Sequence, residues 1–179
     1  MILDRYGDIV ELNYNLNTEQ AIAELRELNA TWKLEKSRKY IDFIGDTEQD
    51  YKIKDEVTEL NSLADDCPTI RDYIKLFPDV HKARVQRMDT GSFFEPHRDH
   101  FQGGERFRVF MALNNVELQD YAFFYDGSIY TFKAGVPYII NTAKVHGSMS
   151  FADETYHLLL SVNTTDEAIK AVIDKITFR

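Results

Sequence analysis

Three observations predict an α+β fold dominated by β-structure. From about residue 82 onward, aromatic and β-branched residues recur in short runs divided by turn signals. Asp126-Gly127 stands between Phe-Phe-Tyr and Ser-Ile-Tyr-Thr-Phe, a strong two-residue hairpin signature. Ahead of that region the chain reads as mainly helical. Short strands at regular spacing, with helices before them, fit a helix-supported double-sheet jelly roll. A chain of 179 residues is expected to fold as a single domain 1–179 with one core of useful size. Its expected parts are helical support over 1–80, the jelly-roll core over 81–163 and a C-terminal helix over 164–179.

Taken in order, Ile9-Val10-Glu11-Leu12 alternates weakly and predicts a short strand. Asn17 offers a helix cap with Gln20 three residues on, and Ala21, Ile22, Leu25 and Leu28 recur at helical spacing. A helix to about Ala30 follows. Over 31–53, Trp32, Tyr40, Ile41, Phe43 and Ile44 read as packing residues, and Gly45-Asp46 as a turn. Two more helices are expected, over 54–64 and over 69–77, the second stopped by Pro78. Strands are then expected over about 82–89, 106–114, 120–125, 129–133, 137–141, 145–151 and 155–163. A closing helix runs from about Thr165 to Lys175, capped by Thr164 or Thr165.

Composition narrows the function. A hydrophobic fraction of 44% and a charged fraction of 28% are ordinary for a globular protein. A net charge of −9 argues against non-specific nucleic-acid binding, which calls for a basic face. Yet Arg84, Arg87, Arg98, Arg106 and Arg108 crowd around the stretch that carries the chemistry. The single Cys67 excludes an internal disulfide and reads as a small buried hydrophobe. The N-terminus lacks the apolar run of a signal peptide and no stretch is long enough to span a membrane, so a cytoplasmic protein is expected.

That stretch is Gly91-Ser-Phe-Phe-Glu-Pro-His97-Arg-Asp99-His100. On an extended strand, residues two apart share a face, so His97 and Asp99 can turn one imidazole nitrogen and one carboxylate oxygen toward one ion. Gly91 permits a tight turn into the strand. His146, on a separate expected strand, is the natural third ligand. Two histidines and a carboxylate form a facial triad with open positions, the arrangement of non-haem Fe(II) oxygenases. Arg106 and Arg108 share a strand face, and a guanidinium fork suits a carboxylate. His100 should face away from the pair. Gln86, Asn141 and Ser161 are candidate pocket residues, while Tyr125, Tyr130 and Tyr138 read as core or rim aromatics. The paired glycines in Phe101-Gln-Gly-Gly-Glu105 would suit a mobile lid or a simple connection.

From about Arg84 to Asn163 the sequence resembles the double-stranded β-helix (cupin-like) core of Fe(II)/2-oxoglutarate-dependent dioxygenases. It is most similar to the aspartyl/asparaginyl β-hydroxylase branch, which includes free-proline hydroxylases. The residues that carry the resemblance are Gln86-Arg-Met-Asp-Thr-Gly91, Pro96-His-Arg-Asp99, Arg106-Phe-Arg-Val-Phe-Met-Ala-Leu113, and Val145-His146 leading into His157-Leu-Leu-Leu-Ser-Val162. The resemblance implies that His97, Asp99 and His146 bind Fe(II) and that Arg108 contacts a carboxylate of the cosubstrate 2-oxoglutarate. It implies that Gln86 touches the cosubstrate and that one of Arg106 and Arg108 is available for substrate. It further implies O2-dependent hydroxylation of an unactivated C–H bond in a free or peptidyl amino acid.

Two departures bear on the details. The branch carries an Arg about ten residues past the distal His to anchor the far carboxylate of 2-oxoglutarate; here His157 stands eleven residues past His146, with Tyr156 beside it. Either His157 or Arg108 is then the main anchor. The peptidyl aspartyl hydroxylases also lack the carboxylate ligand, whereas this chain has Asp99. Two other classes remain alternatives: a non-catalytic cupin-type binding module, and a metal-dependent cupin enzyme that does not use 2-oxoglutarate.

Overall fold

The computed structural model describes residues 7–45, 59–99 and 106–175. Strand β1 (Ile9–Glu11) leads into helix α1 (Thr18–Glu27), and a hairpin of β2 (Lys33–Glu35) and β3 (Arg38–Asp42) follows. Helices α2 (Leu63–Asp66) and α3 (Pro68–Ile74) precede the strand-rich part. That part comprises β4 (Val80–Met88), β5 (Phe93–His97), β6 (Arg106–Ala112), β7 (Tyr121–Tyr125), β8 (Ser128–Tyr130), β9 (Pro137–Ile140), β10 (His146–Ser150) and β11 (Thr155–Asn163). Helix α4 (Asp166–Ile173) closes the described chain.

The strands form two sheets, one of seven in the order β1-β9-β6-β11-β4-β3-β2 and one of four in the order β5-β10-β7-β8. This is the jelly-roll sandwich expected. Asn17 caps α1 by accepting from the Gln20 N–H at 3.2 Å, and Thr165 caps α4 by accepting from Ala168 N–H at 3.2 Å. Gly127 closes the β7–β8 hairpin, with Asp126 and Gly127 both at positive φ, 47° and 83°.

Side chains alternate along each strand and so serve two cores. Ala83 and Val85 of β4, Phe107, Val109 and Met111 of β6, and Leu158, Leu160 and Val162 of β11 face the helices in the larger core. Met88, Phe110 and Ala112 face the other way and join Tyr121, Phe123, Tyr125, Phe132, Tyr138 and Ile140 in an aromatic core. Cys67 is buried in the helix-side core, where desolvation pushes its thiol up to about 12, in keeping with a packing role.

Three expectations shift. Residues 54–58 of the helix expected over 54–64 lie outside the described residues, and Leu60 forms an isolated bridge to Ile44. The helix there begins only at Leu63, because the Asn61 amide donates to the Asp42 and Gly45 carbonyls and its oxygen accepts from Leu63 N–H. The helix expected over 69–77 ends at Ile74. The stretch over 31–53 contains a hairpin whose β3 pairs with β4 and widens the large sheet.

Gly147 lets β5 approach β10 closely. A Cβ at this position would lie 2.7 Å from the Phe94 carbonyl oxygen and 3.0 Å from Pro96 N. Gly147→Ala should therefore push β5 off β10, costing about 1–3 kcal/mol as overpacking does. Thermal unfolding measures the loss, and an unchanged melting temperature would refute the tight approach.

Candidate functional site

His97 ends β5 and His146 begins β10, and the antiparallel register sets the two residues opposite each other. Their ring centroids are 4.3 Å apart. Asp99 lies two residues past the end of β5, where its N–H donates to the Thr142 carbonyl at 2.9 Å. One ligand atom from each of His97, Asp99 and His146 lies within 4.8 Å of the others. Among the described residues, the structure thus brings together the three side chains that the motif singled out.

Their hydrogen bonds orient them. His97 Nδ1 lies 2.9 Å from the Glu95 carbonyl and His146 Nδ1 lies 3.0 Å from the Lys144 carbonyl. Each neutral ring then donates from Nδ1, leaving the Nε2 lone pair for a metal. Arg108 Nε donates to Asp99 Oδ2 at 3.1 Å, which holds the carboxylate from behind. Burial opposes the charge on Asp99, but the His97 hydrogen bond and Arg108 prevail and hold its carboxyl well below the usual range. The Asp99 hydrogen bond pushes the His97 pKa up, and desolvation pushes that of His146 down. A carboxylate and two imidazoles at this spacing fit a divalent transition metal.

The cluster lines a cavity of about 190 Å³ between the two sheets. One water needs only roughly 10–15 Å³, so there is room for a small organic ligand. Phe94, Phe110, Phe123, Ile140 and Leu159 supply its apolar wall, and Gln86, Thr142, Ser148 and Ser161 its neutral polar groups. Its cations are Arg38, Lys82, Arg84 and Arg108, and Glu35 joins Asp99 as an anion.

Of the cosubstrate residues expected, Arg108 and Gln86 line this cavity, whereas Arg106 and His157 do not. Arg106 shares the parity of Arg108 but pairs with Asn163 at the outer end of the β6–β11 ladder. His157 is 1% exposed and packed against the tilted rings of Phe110 and Tyr121, with centroids 5.2 and 4.4 Å away. Desolvation pushes its pKa down to about 3, so it is neutral and unsuited to anchor a carboxylate by charge. Arg87 points elsewhere, to Asp89 and Glu154. Ser161 reaches the cavity, while Asn141 instead bonds Asp8. His100 and the glycine loop up to Glu105 lie outside the described residues.

Sequence reasoning missed Arg38, Glu35 and Lys82. For Lys82 a signal was present: Lys82, Arg84 and Gln86 alternate with Ala83 and Val85, the mark of a strand with one polar face.

No protein-family model matches the sequence, and no curated protein matches it. Solved structures do. An oxidoreductase of the 2OG-Fe(II) oxygenase family from Burkholderia pseudomallei is 13% identical, with a TM-score of 0.55 over 85% of this chain and 81% of that one. KdgF from Halomonas sp. is 12% identical, with a TM-score of 0.44 over 86% of this chain and 94% of its own. The Cnp3 cupin domain of Schizosaccharomyces pombe is 11% identical, with a TM-score of 0.45 over 82% and 76%. The Burkholderia structure shares the two-sheet jelly-roll fold, and at this identity the likeness extends to the fold alone. No helix among the described residues is long and apolar enough to cross a membrane.

Two outcomes are expected. Arg108→Met should weaken divalent-metal binding about 10–100-fold by freeing Asp99 to move, which calorimetric titration with Mn(II) would show. Burial lowers the Lys82 pKa from 10.5 to about 8. Between those values the unfolded chain holds a proton that the folded chain has shed. Stability should therefore rise with pH across this window, by at most about 3 kcal/mol. Denaturant unfolding at either end of the window measures the rise, and Lys82→Met should flatten it.

Proposed function

We propose that the protein is an Fe(II)- and 2-oxoglutarate-dependent oxygenase that hydroxylates an unactivated C–H bond of a small substrate bearing amino-acid groups. The observation that carries this reading is the convergence of His97, Asp99 and His146 on one point in a cavity whose wall is rich in cations. Bound there, Fe(II) with 2-oxoglutarate and O2 would supply the oxidation, releasing succinate and CO2 as one oxygen atom enters the substrate.

The chain's own groups provide the rest. The two Nε2 atoms and the Asp99 carboxylate would hold the metal on one side, leaving the cavity side open to ligands. Arg108 fixes Asp99. The phenylalanines exclude water, which strengthens every charge interaction inside. Arg38 Nη2 and Glu35 Oε2 lie 3.5 Å apart, so a cation and an anion stand side by side in the lining. That pair complements the carboxylate and ammonium of an amino acid, which supports a substrate of this class, as in the aspartyl/asparaginyl β-hydroxylase branch.

Anaerobic titration with Fe(II), with and without 2-oxoglutarate, tests the reading. A weak visible charge-transfer band should appear only when both are present, and it should vanish in His97→Ala and Asp99→Ala. Metal binding without the band would assign a metal-dependent reaction that uses no 2-oxoglutarate. Absence of metal binding would leave a non-catalytic binding module.

A further inference from the structure

We propose that Asp8 and Asp126 are positioning residues for the His97–Asp99–His146 cluster, acting through Lys144, whose ammonium they hold between them. That the cluster binds a metal rests on the functional reading above; the link from Lys144 to the cluster rests on the following hydrogen bonds.

Residues 141–145 join β9 to β10, and this short loop gives two carbonyls to the cluster. The Thr142 carbonyl accepts from Asp99 N–H at 2.9 Å, and the Lys144 carbonyl lies 3.0 Å from His146 Nδ1. The first fixes where Asp99 stands past the end of β5. The second fixes the rotation and the tautomer of the imidazole. A shift of the loop would therefore move two of the three candidate ligands at once. Among the described residues, the Lys144 carbonyl is the one hydrogen-bond partner of the His146 ring.

What holds the loop lies at the surface and comes from two distant elements. Asp8, just ahead of β1, accepts from Asn141 N–H with its carbonyl at 2.8 Å and from Asn141 Nδ2 with Oδ1 at 3.0 Å. Its other carboxylate oxygen meets Lys144 Nζ at 2.7 Å. Asp126, in the β7–β8 turn, accepts from the same Nζ at 2.8 Å, and its N–H donates to the Val145 carbonyl at 2.9 Å. Tyr125 OH donates to the Asn141 carbonyl at 3.1 Å. The loop is thus fastened at both ends.

A single exposed ion pair contributes little, because solvent screens it and two side chains must be ordered. Here one ammonium joins two carboxylates on different elements, and the backbone of both aspartates already bonds the loop. Without the ammonium, the two carboxylates would face each other unneutralised and drive the loop and the turn apart. The side chains of Lys144 and Asp8 are each 38% exposed and that of Asp126 is 52% exposed, so neutral replacements leave both cores intact.

Asp8→Asn and Asp126→Asn keep the side-chain shape and remove the charge, and an amide oxygen at position 8 can still accept from Asn141. Together the two substitutions should weaken Mn(II) binding about tenfold, followed calorimetrically, the lower end of what lost support of a ligand costs. Lys144→Met should do as much, and Lys144→Arg should keep most of the affinity, since a guanidinium can reach both carboxylates. Glu11→Gln is the control. It breaks the 2.9 Å ion pair to Lys133 on the strand that Asp8 leads into, and it should leave Mn(II) affinity unchanged. A second readout needs no metal: nitrogen NMR of the histidine rings in the metal-free protein at mildly alkaline pH. Wild type should show His146 protonated at Nδ1 alone, and the doubly substituted protein a mixture with the Nε2–H tautomer. A wild-type tautomer in that protein overturns the proposal, whatever its melting temperature. Where wild type binds Mn(II), an undiminished affinity in that protein overturns it too. If wild type binds no Mn(II) and the tautomer still shifts, the metal reading fails and the positioning stands.

Discussion

The antiparallel register between β5 and β10 is the constraint on which the site depends. It places His146 opposite His97, and β10 on its other side places His146 opposite Tyr125. A slip of one residue would turn a histidine to the other face of the sheet. Gly147 permits the close approach, and the irregularity between His146 and Ser148 falls beside it. Asp99 is added by the same kind of bond, a backbone N–H given to Thr142 just past β9. Three candidate ligands, drawn from two segments of the sequence, are therefore positioned by main-chain pairing. Their side chains need only be rotated into place, and the carbonyls of Glu95 and Lys144 do that for the imidazoles. Little conformational freedom remains to be lost when a ligand binds.

The interior of the sandwich holds four cations, and burying charge is costly unless each is compensated. Arg84 has Asp42 in a bidentate contact and lies over the Tyr40 ring, 3.7 Å from its centroid. Arg38 lies over Phe94 at 3.5 Å and beside Glu35. Arg108 has Asp99. Three of these partners, Glu35, Tyr40 and Asp42, come from the β2–β3 hairpin, as does Arg38 itself. The N-terminal segment is therefore part of the cavity's charge balance as well as its support.

Legibility in the sequence followed the range of the physics involved. Caps, hairpin turns and alternation act over a few residues, so Asn17, Thr165, Asp126-Gly127 and most late strands could be read directly. The ligand candidates were also legible, because His97 and Asp99 announce themselves locally and His146 completes a chemically restricted set. The β2–β3 hairpin was not, since its place follows from pairing with β4, some forty residues away. Arg106 and Arg108 share a strand parity, and only the position of the cavity along β6 separates them. His157 was credited with reach by its place in the sequence, whereas its surroundings are set by Phe110 and Tyr121 on two other strands. Lys82 lies on the polar face that alternation marks, but only the pairing of β4 with β11 shows that this face lines the cavity.

Stability and chemistry occupy opposite faces of the same strands. Along β4 and β11, Ala83, Val85, Leu158, Leu160 and Val162 pack against the helices, while Lys82, Arg84, Gln86, Leu159 and Ser161 face the cavity. The helix-side core requires apolar residues of about the right volume, a condition that many sequences meet. The cavity face can then change its charges without disturbing that core, as long as each buried charge has a partner or a ligand. This separation explains how the fold persists at 13% identity to the Burkholderia structure while the groups facing the cavity remain free to differ. It also places the information about ligands in the polar members of alternating strands, which a search for apolar periodicity passes over.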